Sequence, residues 1–489
     1  MYCLHFQGIS RWQSALLCGA VFLLTLASPL ESQAAGSDAA TDRDEEIREL
    51  RAAVRQLQQR VERLESERTD SGVAANPAGR APDPPTGENL SLAQPSSTPD
   101  GAPALTAEDR GVLDYLRGTT INFALDTYYG YNFNHPIGRV NALRAYDVLS
   151  NNISLNQANV IFERTPDMES GRRYGARLDL QFGQATDTLQ GNPLNEPRPQ
   201  IYRNIYQAYG TYIIPAGNGL TVDVGKWGSS IGIEGNYSKD QISYSRSFYF
   251  NFLPFYHMGV RATYKLNDKL SLNYWLVNGT NQTEATNGFK DELFGFTATP
   301  NKNVTWNVNY YLGQEQPDRT PVAPNGPIPV QPGLSFVPIT PAPDGRVHIF
   351  DSYVNWQTTP KLTLALEGDY VIQRLWEFAA PGHSAQPAEV WGGAAYARYQ
   401  LAPKFALATR AEYLDDRGGL FSGITQALKE NTFTAEYKVA EGFLVRSEYR
   451  RDFSNRPSFF TDALGKLKKE QNTATLGLVW WMGRKQGTW

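Results

Sequence analysis

From about residue 118 onward, apolar and polar side chains alternate with a period of two, the signature of strands with one apolar-facing and one water-facing side. Within 404–413, Phe405, Leu407, Ala411 and Tyr413 share one face, and Arg410 and Glu412 the other. The same reading sets Val260, Ala262 and Tyr264 against Arg261, Thr263 and Lys265, and Phe433, Ala435 and Tyr437 against Thr434, Glu436 and Lys438. In 304–312, Val304, Trp306, Val308 and Tyr310 oppose Thr305, Asn307 and Asn309. The pattern predicts sixteen strands, at about 119–131, 151–164, 173–184, 200–214, 219–228, 256–266, 269–279, 288–300, 302–313, 346–358, 360–374, 388–401, 404–415, 429–439, 442–453 and 471–481.

The connections between them separate into two kinds. Asn267-Asp268, Pro300-Asn301, Thr359-Pro360, Ala402-Pro403, Ala440-Glu441 and 215–219 are tight, whereas 132–150, 229–255, 314–345 and 454–470 are long. A soluble β-sandwich also alternates along its strands but predicts no such regularity of loops. An up-and-down barrel in an outer membrane does: short periplasmic turns, longer external loops and crossing stretches of about 9–11 residues. Tyr128, Tyr129, Trp356, Trp480 and Trp481 lie near strand ends, where interfacial aromatic girdles belong. The expected fold is therefore all-β, a 16-stranded antiparallel transmembrane β-barrel over 106–489, preceded by a short α-helical coiled coil.

That coil rests on a change of period. Ile47, Leu50, Val54, Leu57, Val61 and Leu64 are spaced by three and four residues in turn, with Arg, Glu and Gln filling most positions between. A heptad seam this narrow favours a self-associating coil over a lone surface helix. β-Branched residues alternating with Leu favour a dimer. Arg60-Val61-Glu62-Arg63-Leu64-Glu65 instead resembles the short Arg-h-x-x-h-Glu motif of trimeric coils, in which Arg60 and Glu65 would bridge neighbouring helices. A homotrimer is the expectation taken forward, because a barrel follows. Residues 35–69 are assigned to the coil and 70–105 to a linker whose Pro82, Pro84, Pro85, Pro95 and Pro99 suit no packed core. Thr106-Ala107-Glu108-Asp109 then has the form of a capping box ahead of Val112, Leu113 and Leu116.

The first 34 residues read as a secretory signal peptide: Arg11, an apolar core over 15–27, and the small residues Ser32 and Ala34 for cleavage. The core is shorter than a helical span and no stop-transfer pattern follows. Both cysteines, Cys3 and Cys18, fall inside it, so the mature chain would carry neither disulfides nor thiol ligands. Among the 489 residues, 46 basic side chains nearly balance 50 acidic ones, which does not point to nucleic acid. With 26 Tyr, 23 Phe, 10 Trp and 42 Gly but no second long apolar run, the chain excludes a helical membrane bundle and leaves a barrel open.

Sixteen strands enclose a lumen that side chains alone do not fill, so a water-filled pore is the default consequence. Alternation places Arg177, Asp179, Arg261, Lys265, Glu367, Asp369, Arg398, Arg410, Glu412, Glu436, Lys438, Arg446, Glu448 and Arg450 inward, since charge at mid-membrane on the lipid face costs about 2–4 kcal/mol. With both termini in the periplasm, 229–255 is the third external loop. It is aromatic-rich and carries Glu234, Lys239, Asp240 and Arg246, which could oppose Arg261, Arg410 and Arg446 across the lumen. Opposed carboxylates and guanidiniums would set a transverse field selecting by charge and dipole. The constriction candidates are thus Glu234, Lys239, Asp240, Arg246, Arg261, Arg398, Arg410, Glu412, Arg446 and Glu448; the bland reading makes most of them a wetted wall.

Asp126-Thr-Tyr-Tyr-Gly-Tyr-Asn-Phe-Asn-His-Pro136, Leu155-Asn-Gln-Ala-Asn-Val160, Gly225-Lys-Trp227 with Gly232-Ile-Glu234, Tyr244-Ser-Arg-Ser247 and Pro254-Phe-Tyr-His-Met-Gly-Val-Arg261 resemble the OmpL-like family of outer-membrane β-barrel porins. The likeness covers about 119–481. It implies a third loop folded into the lumen and a pore for small hydrophilic solutes and ions in the outer membrane of a Gram-negative cell, with no solute assigned. Outer-membrane barrels commonly end on an aromatic residue read during assembly, and both Trp489 and the strand-ending Trp481 are candidates.

An outer-membrane hydrolase would need a nucleophile, a His and a carboxylate converging on the wall. The chain has five His: His5 in the leader, His135, His257, His348 and His383. No His-Glu-x-x-His, Gly-x-Ser-x-Gly, phosphate-binding glycine loop or Asp-rich calcium loop is present, so neither enzyme activity, cofactor nor metal is expected. A third reading is a tether: the coil and linker, the linker reaching roughly 30 Å as a random coil, hold the outer membrane to a periplasmic partner such as peptidoglycan while the pore conducts.

Overall fold

A computed structural model describes Thr106, Arg110, residues 118–190, Glu196, and residues 198–321, 336–339, 345–376 and 384–485. The signal peptide, the coiled coil, the linker and Trp489 lie outside the described residues. At the proposed capping box, Arg110 N–H donates to Thr106 O at 3.0 Å, one helical turn.

The strands are β1 (Thr120–Asn132), β2 (Asn152–Arg164), β3 (Tyr174–Phe182), β4 (Ile205–Ile214), β5 (Leu220–Gly228), β6 (Tyr256–Asn267), β7 (Leu270–Val277), β8 (Asp291–Asn301), β9 (Val304–Gln314) and β10 (Arg319–Pro321). They continue with β11 (Phe336–Pro338), β12 (Arg346–Thr359), β13 (Leu362–Trp376), β14 (Ser384–Ala402), β15 (Phe405–Arg417), β16 (Gln426–Ala440), β17 (Phe443–Ser454), β18 (Phe459–Phe460), β19 (Leu467–Lys468) and β20 (Glu470–Gly483). Sixteen of these form one closed antiparallel ring in chain order, β1 to β9, β12 to β17 and β20. β10 with β11 and β18 with β19 are short hairpins within external loops. Closure is direct: β1 pairs with β20 from Asn122↔Gly483 to Asn132↔Thr473, which leaves no free edge.

The predicted strands are therefore those of the ring. A short helix, α1 (Ala185–Gln190), follows β3, and the main shift is at 200–204, where Pro199 opens a second, α2 (Pro199–Tyr202), and β4 starts only at Ile205. Proline suits the first turn of a helix because its missing N–H has no partner to lose there.

Outward positions form a continuous apolar band: Phe123, Ile153, Leu155, Val224, Leu272, Phe294, Leu366, Leu407, Phe433 and Leu476 are all exposed. In water such a band would be a liability, whereas against lipid it is the required surface. The inward face departs from the expected polar lining. Toward the external ends of the strands it is apolar, with Trp227, Trp275, Val277, Leu293, Tyr311, Val347, Ile349, Val371, Val390, Leu414 and Leu428 in one buried cluster. Nearer mid-height it becomes charged. The apolar ring is tolerated because an external loop covers it: Ile231, Phe248, Tyr249 and Leu253 belong to the same cluster. Burying each large apolar side chain contributes about 1.5–3 kcal/mol.

Candidate functional site

The third external loop, 229–255, folds into the lumen and crosses it. Polar contacts tie the loop to the wall at β1, β2, β3 and, next to the ring closure, β17, and at β9, β12, β13 and β15 further round the ring. Ser238 Oγ donates to Asp126 Oδ2 (2.5 Å) and Tyr244 OH to Asp126 Oδ1 (2.9 Å). Asn236 Nδ2 donates to Gln181 Oε1 (2.6 Å), and Gln157 Nε2 to Asn236 O (2.9 Å). Across the lumen, Gly232 N–H donates to Asp351 Oδ1 (3.0 Å) and Ile233 N–H to Glu367 Oε1 (2.8 Å). Gly232 takes the left-handed conformation there (φ 87°), which glycine adopts without strain.

Two wall carboxylates grip successive loop peptides. Glu448 accepts from Tyr244 N–H (2.7 Å) and Ser245 N–H (3.0 Å), and Glu412 from Phe248 N–H and Tyr249 N–H, both at 2.9 Å. The second grip falls on the first turn of α3 (Phe248–Phe252), whose cap Ser247 Oγ accepts from Phe250 N–H (2.9 Å). Charge-assisted bonds of this kind are each worth about 1.5–3 kcal/mol. Gly477 in β20 is required for the fit, because a Cβ there would run into the Tyr244 ring.

Arg410 is the hub of the far wall. Its guanidinium is completely buried, with Nε on Glu430 Oε1 (2.6 Å) and Nη1 on both Glu234 Oε1 (2.7 Å) and Ser245 O (2.8 Å). Arg446 donates to loop carbonyls, Ser238 O and Gln241 O at 2.5 Å each, while Glu436 neutralises it at 2.8 Å. The first external loop adds a plug of its own. Arg144 bridges Asp147 (2.5 Å) and Asp452 on β17 (2.7 Å), and Tyr146 OH donates to Asn236 Oδ1 (2.6 Å).

These positions correct the expected transverse field. Of the opposed sets, only Glu234 and Arg410 meet. Arg246 turns back on its own loop, donating to Tyr244 O (2.8 Å), Gly235 O (3.1 Å) and Asn236 O (2.9 Å), and lies over the Tyr146 ring. Lys239 and Asp240 pair with each other at 2.7 Å. Arg261 pairs with Asp223 on its own stretch of wall (2.7 Å) and stacks on Tyr209 and Trp227, away from the loop charges. Glu234, Arg410, Glu412, Arg446 and Glu448 are thus not a wetted lining. They are desolvated fastenings between loop and wall, because a carboxylate or guanidinium facing loop backbone finds peptide groups there to replace water. Arg261 and Arg398 remain as partly wetted lumen charges, 23% and 29% exposed, with Arg398 paired to Glu436 (2.7 Å).

Asp126, Arg144, Asp351 and Glu430 hold the same assembly and were not among the sequence candidates. Asp126 and Asp351 had a legible signal, a lone acid in an otherwise apolar or neutral strand. Arg144 had none, since nothing local shows that its loop turns inward.

Above the crossing loop, about 450 Å³ of open cavity remains. Its walls mix Val347, Ile349, Val371, Phe252, Leu253 and Phe421 with Gln190, Asn251 and Gln373. Near its margin His257 is buried, its Nε2 3.2 Å from Ser229 Oγ and its Nδ1 3.3 Å from Gly279 O. The third member of that arrangement is a backbone carbonyl, where a catalytic triad places a carboxylate. His348 faces Tyr310 OH (2.9 Å) instead of any nucleophile.

A closed sixteen-strand ring with an apolar outer band and its third external loop fastened across the lumen is a transmembrane β-barrel of the porin type. The chain belongs to the beta-barrel porin-2, OmpL-like family, whose model matches residues 118–480. Among solved structures, it is similar to the outer membrane channel DcaP of Acinetobacter baumannii, at 10% identity and TM-score 0.47 over 74% of this chain and 97% of that one. It is also similar to an anion-selective porin from Comamonas acidovorans (6%, TM-score 0.48, 74% and 99%). A third is the trimer form of in-vitro folded OmpT of Vibrio cholerae (14%, TM-score 0.45, 74% and 99%). No curated protein matches the chain.

Proposed function

We propose that this protein is an outer-membrane porin, a passive diffusion channel for small hydrophilic solutes and ions, and not an enzyme. The observation that carries the reading is the third loop: a closed ring holds it across the lumen by clamps on both sides, which constricts a pore and builds no reaction centre. Membership of the porin family supports the same conclusion. The solute path runs from the amphipathic cavity above the loop, past its edge, to a lower lumen where Arg261 and Arg398 present the accessible positive charge. Single-channel recording in a reconstituted bilayer tests this. Stepwise conductance with a reversal potential set by the salt gradient is expected; a silent bilayer containing folded barrel refutes it.

The oligomer is read as a homotrimer held in part by the periplasmic coil, with Ile47, Leu50, Val54, Leu57, Val61 and Leu64 as its seam and Arg60 and Glu65 bridging. In the same reading, residues 35–105 are coil and linker left after removal of a signal peptide, and serve to tether the outer membrane to peptidoglycan or a periplasmic protein. Deleting 35–105 should leave conductance intact while weakening the envelope; unchanged envelope integrity refutes the tether alone.

A further inference from the structure

Three carboxylates on adjacent strands converge beneath the start of the third loop. Asp351 on β12 and Asp369 on β13 are direct cross-strand partners on the lumen face, and Glu367 lies two residues from Asp369 on that face. One oxygen from each lies within 4.8 Å of the others. Like charges placed directly opposite in a sheet repel, and here burial of all three limits screening by solvent.

The surroundings supply no cationic partner. Among the described residues, no Lys or Arg is ion-paired with any of the three. The wall positions beside Asp369 and Glu367 on the next strand are Gly392 and Ala394, too small to bring a charge. Arg410, the nearby guanidinium, is committed to Glu234 and Glu430. Glu234 and Glu412 reach Glu367 only with charge of the same sign.

Asp351 and Glu367 are each used at both oxygens by neutral donors. Gly232 N–H and Asn309 Nδ2 (2.7 Å) serve Asp351, and Ile233 N–H and Tyr396 OH (3.2 Å) serve Glu367. Asp369 differs. It is only 5% exposed, and both its oxygens are buried without a hydrogen-bond donor. A buried, ionised carboxylate aimed into an anionic cluster with no donor is costly unless a proton or a cation neutralises it, and three acids turned on one point offer a cation several oxygens at once.

We propose that Asp351, Glu367 and Asp369 bind one divalent cation of the calcium class, which locks the Gly232–Ile233 end of the loop to the wall. Oxygen-only ligands select a hard cation, and calcium–oxygen distances of about 2.3–2.6 Å place any two ligand oxygens of one ion within about 5 Å. Magnesium, smaller and strictly octahedral, suits three unequally oriented carboxylates less well. The ion offsets two of the cluster's three negative charges and fixes the carboxylates that receive the loop's first two inward N–H groups, so its removal frees that end of the constriction.

The test is terbium luminescence on the full-length protein folded in detergent and stripped of divalent ions, with Tyr396 as the near sensitiser. One saturable site is expected, displaced by calcium more readily than by magnesium. Asp369→Asn should weaken it at least tenfold, while Asp268→Asn, in an exposed turn, leaves it unchanged. Absence of saturable emission from wild type, as a proton shared within the cluster would give, overturns the proposal; so does wild-type affinity in Asp369→Asn. Should that variant not fold, the wild-type unfolding midpoint in calcium against chelator decides: a rise supports the site and no shift overturns it. None of these readouts involves current, so they stand apart from the test of conduction.

Discussion

Arg410→Ala is the most direct probe of how the constriction is held. The side chain is fully buried and joins three partners: Glu430 on the neighbouring strand, and Glu234 and Ser245 O on the loop. Its removal leaves Glu430 with only the Thr432 hydroxyl (2.5 Å) and a longer contact to Arg450 (3.5 Å), and leaves Glu234 with the Ser247 N–H (2.7 Å). Breaking one side of a buried ion pair costs about 3–5 kcal/mol, most of it from the charge left behind. At about 1.4 kcal/mol per factor of ten, the equilibrium between fastened and released loop shifts by roughly 10²-fold to several thousandfold. Glu412 holds the 248 and 249 peptides independently, so α3 should stay in place, while the segment around 234–237, nearest the lost Glu234 contact, should loosen ahead of 238–245, which Arg446 and Glu448 still hold. Single-channel traces should then flicker to larger conductance, and the urea midpoint of the detergent-folded barrel should fall. Arg410→Met with Glu430→Gln, which removes both charges of the wall pair, should restore much of that midpoint. An Arg410→Ala channel with wild-type noise and a wild-type midpoint would refute the reasoning.

Other expectations follow from the same geometry. Arg261→Ala and Arg398→Ala, which remove the partly wetted guanidiniums, should move the reversal potential toward cation preference; no movement would mean that these charges lie off the ion path. Phe433→Arg, near the middle of β16 and exposed to lipid, should destabilise the barrel by about 2–4 kcal/mol in vesicle unfolding, with little effect in Arg456→Ala outside the membrane-spanning strands. The Glu284 carboxylate joins the fourth external loop to the second through Arg198 and Tyr202 OH (2.7 Å). Burial raises its pKa, but the Arg198 and Tyr202 hydrogen bonds and the Arg198 charge outweigh that and hold it below the usual glutamate range. A depressed carboxyl stabilises the latch above its unfolded value, about 4.3, and loses that contribution as pH falls through the lower folded value. Proteolysis of the second loop should therefore rise only in distinctly acidic buffer, and Glu284→Gln should show the open-loop rate at neutral pH.

How much of this was legible in the chain depends on range. Alternation in 404–413 or 432–439 already states which side chains face lipid, because the pleat turns every second residue to the same face and charge is not tolerated against hydrocarbon. Even strand number, short and long connections, and an inward third loop followed from that and from the family resemblance. Arg410 and Glu412 were correctly assigned to the inner face. What they do there was not legible. Periodicity gives direction and not depth, so a guanidinium facing a wetted lumen and one facing a buried loop carbonyl look the same in sequence.

The local sequence determined the barrel: strands, faces and turns are each specified by residues within a few positions of one another. The tertiary structure alone decided that 229–255 seals an apolar ring, that Glu412 and Glu448 grip its peptides, and that Arg246 turns back on its own loop. It also brought Asp351, Glu367 and Asp369 into one cluster. Apart from the Arg246 turn, which depends on how the loop folds on itself, each of those outcomes joins groups across the lumen or across strand pairs, where the partner that neutralises a charge or strands it is set by the closing of the barrel.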